Sequence, residues 1–130
     1  MLKDSFYHIL SFRPAEPMNN ASGIDTQAFT ARIRLNGKHP VYQGHFPGKP
    51  VVPGVCQIQL IKEIFSEAIH REVSLVKADN IKFLAIIVPE KCPVLDINIT
   101  AKRQREEGWE VTGAISNEEV QFLKFKGIFV

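Results

Sequence analysis

Residues 44–70 run Gly44-His45-Phe46-Pro47-Gly48-Lys49-Pro50-Val51-Val52-Pro53-Gly54-Val55-Cys56-Gln57-Ile58-Gln59-Leu60-Ile61-Lys62-Glu63-Ile64-Phe65-Ser66-Glu67-Ala68-Ile69-His70, and the pattern changes character halfway. Up to Pro53 the stretch is punctuated by Pro47, Gly48, Pro50 and Pro53, too often for a regular element. From Gly54 onward Ile58, Ile61, Phe65 and Ala68 recur at helical spacing, and Leu60, Ile64 and Ile69 widen the same stripe. Gln59, Lys62, Glu63, Ser66 and His70 fall largely on the opposite side. The spacing predicts one helix over residues 54–70 that begins at Pro53-Gly54. Gln57 intrudes on the apolar stripe and is expected to sit in a frayed first turn.

On either side of this helix the hydrophobic period becomes that of a strand. Phe29, Ala31, Ile33 and Leu35 alternate with Thr30, Arg32 and Arg34. Leu95, Ile97 and Ile99 alternate with Asp96, Asn98 and Thr100. Beyond a turn-like Glu106-Glu107-Gly108, Trp109, Val111 and Ile115 alternate with Glu110, Thr112 and Ser116. These two segments are expected as antiparallel neighbours. Residues 120–130, and residues 81–88 with Lys82 as their one charge, read as central strands buried on two faces. Loops are expected over 13–22, 36–54, 89–93 and 106–108. A strand, one long helix and four or so further strands give an α+β fold, an antiparallel sheet wrapped on a central helix.

Composition excludes several classes. With 130 residues and 45% hydrophobic content, the chain is expected to form a single domain over 1–130 that buries roughly two thirds of its unfolded surface. A formal net charge of +2 and a pI of about 8.6 leave no dense basic stripe, so no nucleic-acid partner is expected. Residues 1–10 mix Lys3, Asp4 and His8 with apolar residues and offer no signal core. No run is long enough to span a membrane, and the protein is expected in the cytoplasm. Cys56 and Cys92 lack CxxC spacing and read as reduced filler residues, not as a disulfide or zinc site. His8, His39 and His70 read as surface residues, and no metal role is supported.

The run over 44–59 strongly resembles the active-site motif of the β-hydroxyacyl-acyl-carrier-protein dehydratases, a hotdog-fold family. Ile81-Lys82-Phe83 through Val88-Pro89 resemble the strand that follows the family's helix, so the resemblance covers about half the chain. It implies a substrate carried as a thioester on the phosphopantetheine of acyl carrier protein, in fatty acid or related lipid or polyene synthesis. It also implies no soluble cofactor, and an acyl tunnel shared across a dimer. The chemistry is consistent with these residue types. Dehydrating a 3-hydroxyacyl thioester requires a base beside the carbonyl, an oxyanion site and an acid for the departing hydroxyl. His45 suits the first task, because imidazole titrates near neutrality and the surrounding prolines restrain its backbone. Backbone N–H groups at Gly54 and Val55, at the positive end of the helix, suit the second. By resemblance Gly54 is the oxyanion donor. Phe46 reads as a tunnel or core aromatic.

The sequence departs from the family at the third task. Gln59, fourteen residues after His45, stands where the resemblance implies a Glu or Asp acting as acid across the dimer interface. An amide has no proton to release near neutral pH, and losing a general acid costs roughly 10²- to 10⁴-fold. Four residues on, Glu63 stands where the family carries Gln, so the two types are exchanged at about 5 to 6 Å along one helix face. Glu63 is then either a displaced acid or a solvated or ion-paired helix residue. Three functions stay open. The first is a dehydratase acting on acyl-carrier-protein thioesters. The second is a hotdog thioesterase in which Gln59 or Glu63 positions or activates water. The third is a non-catalytic, carrier-binding subunit that completes an active relative. A homodimer or higher oligomer is expected, or a heterodimer in the third case. Lys38, Lys49, Lys102, Arg103 and Arg105 are candidates for a basic mouth facing the acidic carrier.

Overall fold

The computed structural model describes residues 2–14, 18–19, 25–42, 50–104 and 108–130. Its strands are β1 (Tyr7–Pro14), β2 (Met18–Asn19), β3 (Asp25–Leu35), β4 (Leu75–Phe83), β5 (Val94–Arg103), β6 (Trp109–Ser116) and β7 (Gln121–Phe129). The long helix α1 (Gly54–Ile69) lies between β3 and β4 in the chain, and a short 3-10 turn (Pro40–Tyr42) precedes it. The sheet is antiparallel in the order β1-β3-β5-β6-β7-β4, with β2 paired to β3 off that path.

Alternation along each strand sets which face is buried. In β5 Leu95, Ile97, Ile99 and Ala101 are buried, and in β6 Trp109, Val111 and Ile115 are. Register joins such residues into rows. One row runs Phe12, Ala31, Ile97, Ile115, Leu123 and Phe83, one residue from each strand of the main path. Its four middle members are fully buried. Against this inner face α1 lays Leu60, Ile61, Ile64 and Phe65, all fully buried. Phe65 meets Trp109 edge-on with ring centroids 5.7 Å apart. Gly113 lies on the inward side of β6 beneath the helix, where a Cβ would come within 3.0 Å of the Ile61 Cδ1. The absence of a side chain there lets helix and sheet approach closely.

The helix ends at His70, which adopts a left-handed conformation (φ 55°, ψ 40°) while the N–H groups of His70 and Arg71 bond to the carbonyls of Glu67 and Ser66. Three expectations are corrected. The strand expected over 81–88 starts earlier and ends at Phe83. It is the sheet's edge and not a central strand, and every residue of β4 except Ile81 is exposed. Its continuation leaves Leu84 and Ile86 exposed as well. β7 does lie inside the sheet, but it is buried on one face only, with Lys124 and Lys126 exposed on the other. Finally β1 and β2 fall partly where residues 13–22 were expected to be a loop, and β1 itself was not anticipated.

Candidate active site

The start of α1 is shaped by its proline. Pro53 takes an extended conformation (φ −61°, ψ 147°) and its carbonyl accepts the N–H groups of Cys56 (3.0 Å) and Gln57 (3.2 Å). The N–H groups of Gly54 and Val55, one step earlier, have no partner among the described residues. They lie at the positive end of the helix dipole, the geometry that receives an anionic oxygen. The segment before the helix is anchored by the Val52 N–H, which donates to the Ile87 carbonyl at 2.9 Å. Gln57 is not in a frayed turn. It is buried, and its Nε2 donates to the Val52 carbonyl at 3.3 Å, stitching the approach segment to the helix. Val55 is 77% exposed. Gly54 has a closer neighbour, because a Cβ there would lie 2.8 Å from the Cζ of Phe83. Gly54 and Val55 thus carry N–H groups without a described partner at the helix start, with the Phe83 ring packed beside Gly54. His45 and Phe46, expected as base and tunnel aromatic, lie outside the described residues, as do Lys49 and Arg105.

About two and a half turns further along the helix, Glu63 is buried and makes no ion pair among the described residues, which corrects the expectation of a solvated or ion-paired residue. It is 5% exposed, and its carboxylate accepts four hydrogen bonds. Oε1 receives the Lys3 N–H (2.9 Å) and the Tyr7 hydroxyl (3.1 Å). Oε2 receives the Leu2 N–H (2.8 Å) and the Nε2 of Gln59 (2.7 Å). Four donors occupy about as many acceptor sites as a carboxylate has. Delivering a proton from either oxygen would require one of these bonds to give way, so the arrangement suits holding, not proton transfer. The neighbouring Tyr7 phenol is fully buried, and burial first, then the Glu63 charge, pushes it well above the ordinary phenol range. Lys3 completes the junction through a 2.5 Å bond to Glu67, a bond that raises its ammonium above the usual value.

The two sequence-selected helix residues are thus brought together as a pair, and Gln59 and Glu63 line an open groove of about 360 Å³ with Lys62, Ser66, Glu67 and Arg71. What sequence reading missed is the other half of the pair's environment, the segment over residues 2–7. Both cysteines are free thiols, and burial pushes the Cys56 thiol up. Among the described residues no group of three or more His, Cys, Asp or Glu is placed to hold a metal ion, and no helix is long and apolar enough to cross a membrane. Of the basic-mouth candidates that are described, Lys38, Lys102 and Arg103 are exposed, and the Arg103 guanidinium lies over the Trp109 ring at 5.5 Å.

An antiparallel sheet curled on one long helix defines a hotdog-fold protein. The family model described as ApeI dehydratase, ApeI-like, matches residues 21–126, and the chain belongs to that family. The 3-hydroxyacyl-acyl-carrier-protein dehydratase FabZ of Rickettsia massiliae (strain Mtu5) is 28% identical over 100 residues, 71% of this chain and 68% of the relative. The FabZ of Rickettsia felis (strain ATCC VR-1525 / URRWXCal2) is 29% identical over 87 residues, 61% of this chain and 59% of the relative. Among solved structures, the dehydratase heterocomplex ApeI:P from Xenorhabdus doucetiae superposes with a TM-score of 0.67 at 15% identity, covering 94% of this chain and 96% of that one.

Proposed function

We propose that the protein is a subunit of a 3-hydroxyacyl thioester dehydratase, working on acyl groups carried by the phosphopantetheine of acyl carrier protein, and that its acid comes from a second hotdog chain. In the proposed step His45 removes the proton next to the thioester carbonyl. The electron pair shifts toward the carbonyl oxygen, held by the N–H groups of Gly54 and Val55, then forms the C=C bond as the 3-hydroxyl departs with a proton from the acid, releasing water. The observation that carries the need for a second chain is the Gln59–Glu63 pair. Gln59 has no proton to give, and Glu63 is fully engaged as an acceptor. In a dimer whose sites span the two-fold, two copies of this chain place an amide where each site needs an acid. Pairing with a chain that carries a carboxylate there completes one site around this chain's His45.

The exposed edge of the sheet supports assembly. β4 is bonded on one side to β7 and has no partner strand on the other among the described residues, and Phe83, Leu84 and Ile86 expose apolar surface beside it. The neighbouring ApeI:P structure is itself a dehydratase heterocomplex, which supports mixed pairing in this fold.

Complementation within the chain tests the reading. Native protein is co-expressed with a variant that carries His45→Ala, Gln59→Glu and Glu63→Gln, and mixed dimers are isolated with two affinity tags. Turnover of 3-hydroxybutyryl-acyl carrier protein is followed by the absorbance of the enoyl product. Mixed dimers are expected to exceed either homodimer by at least about 10²-fold. Full activity in the native homodimer would overturn the need for a second chain. Inactivity of the mixed dimer, together with inactivity of a Gln59→Glu, Glu63→Gln homodimer that retains His45, would overturn the dehydratase reading itself.

A further inference from the structure

The outer face of the sheet sets opposite charges across from one another in its interior and like charges at the β4 edge. Arg32 stands across from Asp96 and bonds to it at 2.9 Å. Lys102 stands across from Glu110, whose carboxylate also lies 3.5 Å from the Lys126 ammonium. On β4 the register instead sets Lys82 directly across from Lys124 of β7. Leu123 and Phe125, on either side of Lys124, are buried on the inner face, so the two lysines share the outer face, and both are exposed. Neither makes an ion pair with a described residue. Like charges directly opposite on adjacent strands cost stability, where opposite charges would add to it.

The side of Lys82 away from Lys124 is where a further strand would lie. β4 has no partner strand there among the described residues, and Phe83, Leu84 and Ile86 expose apolar surface beside it. Lysines alone would blunt this edge against any strand, and apolar side chains alone would let any strand cover it. Together they make coverage favourable when the incoming strand brings negative charge to the outer face. A second copy of this chain brings little, because β4 holds one acidic residue, Asp79, which Lys77 already engages at 3.2 Å. We infer that β4 selects a partner whose edge strand carries Asp or Glu on its solvent-facing side, so that Lys82 and Lys124 favour a different hotdog chain over a second copy of this one. The inference rests on the proposed pairing with a second chain and adds the surface chemistry by which that chain is recognised. Such charges act as much by making the wrong pair unfavourable as by making the right one favourable.

The probe for the partner is this chain carrying Lys77→Glu and Lys82→Glu, which reverses both lysines of β4 whatever register the two strands adopt. A Lys77→Gln, Lys82→Gln chain serves as its neutral counterpart. Both positions are exposed, so the fold should be unchanged. A trace of fluorescent native chain is titrated with unlabelled native, neutral and reversed chains, and association is followed by sedimentation. In about 10 mM salt the native chain is expected to bind the reversed chain about three- to tenfold more tightly than it binds itself, with the neutral chain between. In about 1 M salt, where the screening length falls from about 30 Å to about 3 Å, the three affinities should converge. Equal binding of the neutral and reversed chains would show that the lysines only blunt the edge, and would overturn the inference. An order of affinities that high salt leaves unchanged, or no association with any of the three chains, would overturn it too. The complementation experiment above keeps the two readings apart. Active mixed dimers without this order of affinities overturn the inference alone, whereas the order without dehydratase activity in any of that experiment's dimers overturns the proposed function alone.

Discussion

Two regions of the molecule invert the usual placement of residues, and they do so in opposite ways. At the middle of α1 a carboxylate is buried, where an unpartnered charge is costly. At the end of β4 large apolar side chains stand in solvent, with Phe83 53% and Ile86 71% exposed. Glu63 is tolerated because its own chain supplies four donors, drawn from the segment over residues 2–7 and from the helix itself. Phe83 and Ile86 have no such answer among the described residues. The difference separates a group whose needs this chain meets itself from a surface that it leaves exposed. An ionisable group needs directed bonds at fixed distances, which a single fold can organise. An apolar patch needs only coverage, which a second molecule provides without directed bonds.

The strongest way to break this comparison is to remove the first region's acceptor. Glu63→Ala strands four donors at once, and leaving buried polar groups unpaired costs about 1 to 3 kcal/mol each. Partial solvation of the loosened segment recovers some of this, so a loss of at least about 3 kcal/mol is expected in urea unfolding. A loss below about 1 kcal/mol would show that the junction holds little.

The second region is sharpened by a change that should leave the fold alone. Phe83→Asp combined with Ile86→Asp places charge on the exposed patch, where neither side chain belongs to the buried core. Self-association or association with a partner chain is expected to weaken by about 2 to 4 kcal/mol in sedimentation equilibrium, with little change in the unfolding midpoint. Unchanged association would place the interface elsewhere.

The smallest effect returns to the junction. Tyr7→Phe deletes one of the four donors and should cost about 1 kcal/mol at neutral pH. It should also change the alkaline limb. Burial and the Glu63 charge raise the Tyr7 phenol, so the folded state keeps a proton that the unfolded state releases once pH passes about 10. Stability therefore falls as pH rises beyond that point, with Tyr42, raised chiefly by its own burial, acting in the same sense. Tyr7→Phe should flatten that fall when unfolding is followed from pH 8 to 11, values chosen to bracket the ordinary phenol range of about 10. An unaltered slope would separate the phenol from the junction.

Those same regions mark where the sequence could be read and where it could not. The helix and the alternating strands β3, β5 and β6 were legible because burial on one face writes a period into consecutive residues. β1 carried little of that signal, since Tyr7 is its only fully buried residue. The apolar run over 81–88 looked like a buried strand because its exposed members Phe83, Leu84 and Ile86 have the composition of a core, although only Ile87 of the run is fully buried. The exchange of Gln59 and Glu63 was visible at once, but its meaning was not. The partners of Glu63 that decide it lie 56 to 61 positions away in the chain, a separation that no local pattern encodes.

The close approach of Phe83 to Gly54 also bears on how the chain can change over generations. A methyl group at position 54 would meet the ring of Phe83 at 2.8 Å, so the two positions are coupled although they belong to different elements. The ring is half in solvent and can swing away only by giving up its packing against Gly54. Substitution at 54 is therefore tolerated in one order more readily than in the other, first a smaller residue at 83 and then a side chain at 54. This epistasis ties a glycine at the start of the helix to an aromatic on the sheet's edge, so that positions on two different elements of the fold must vary together.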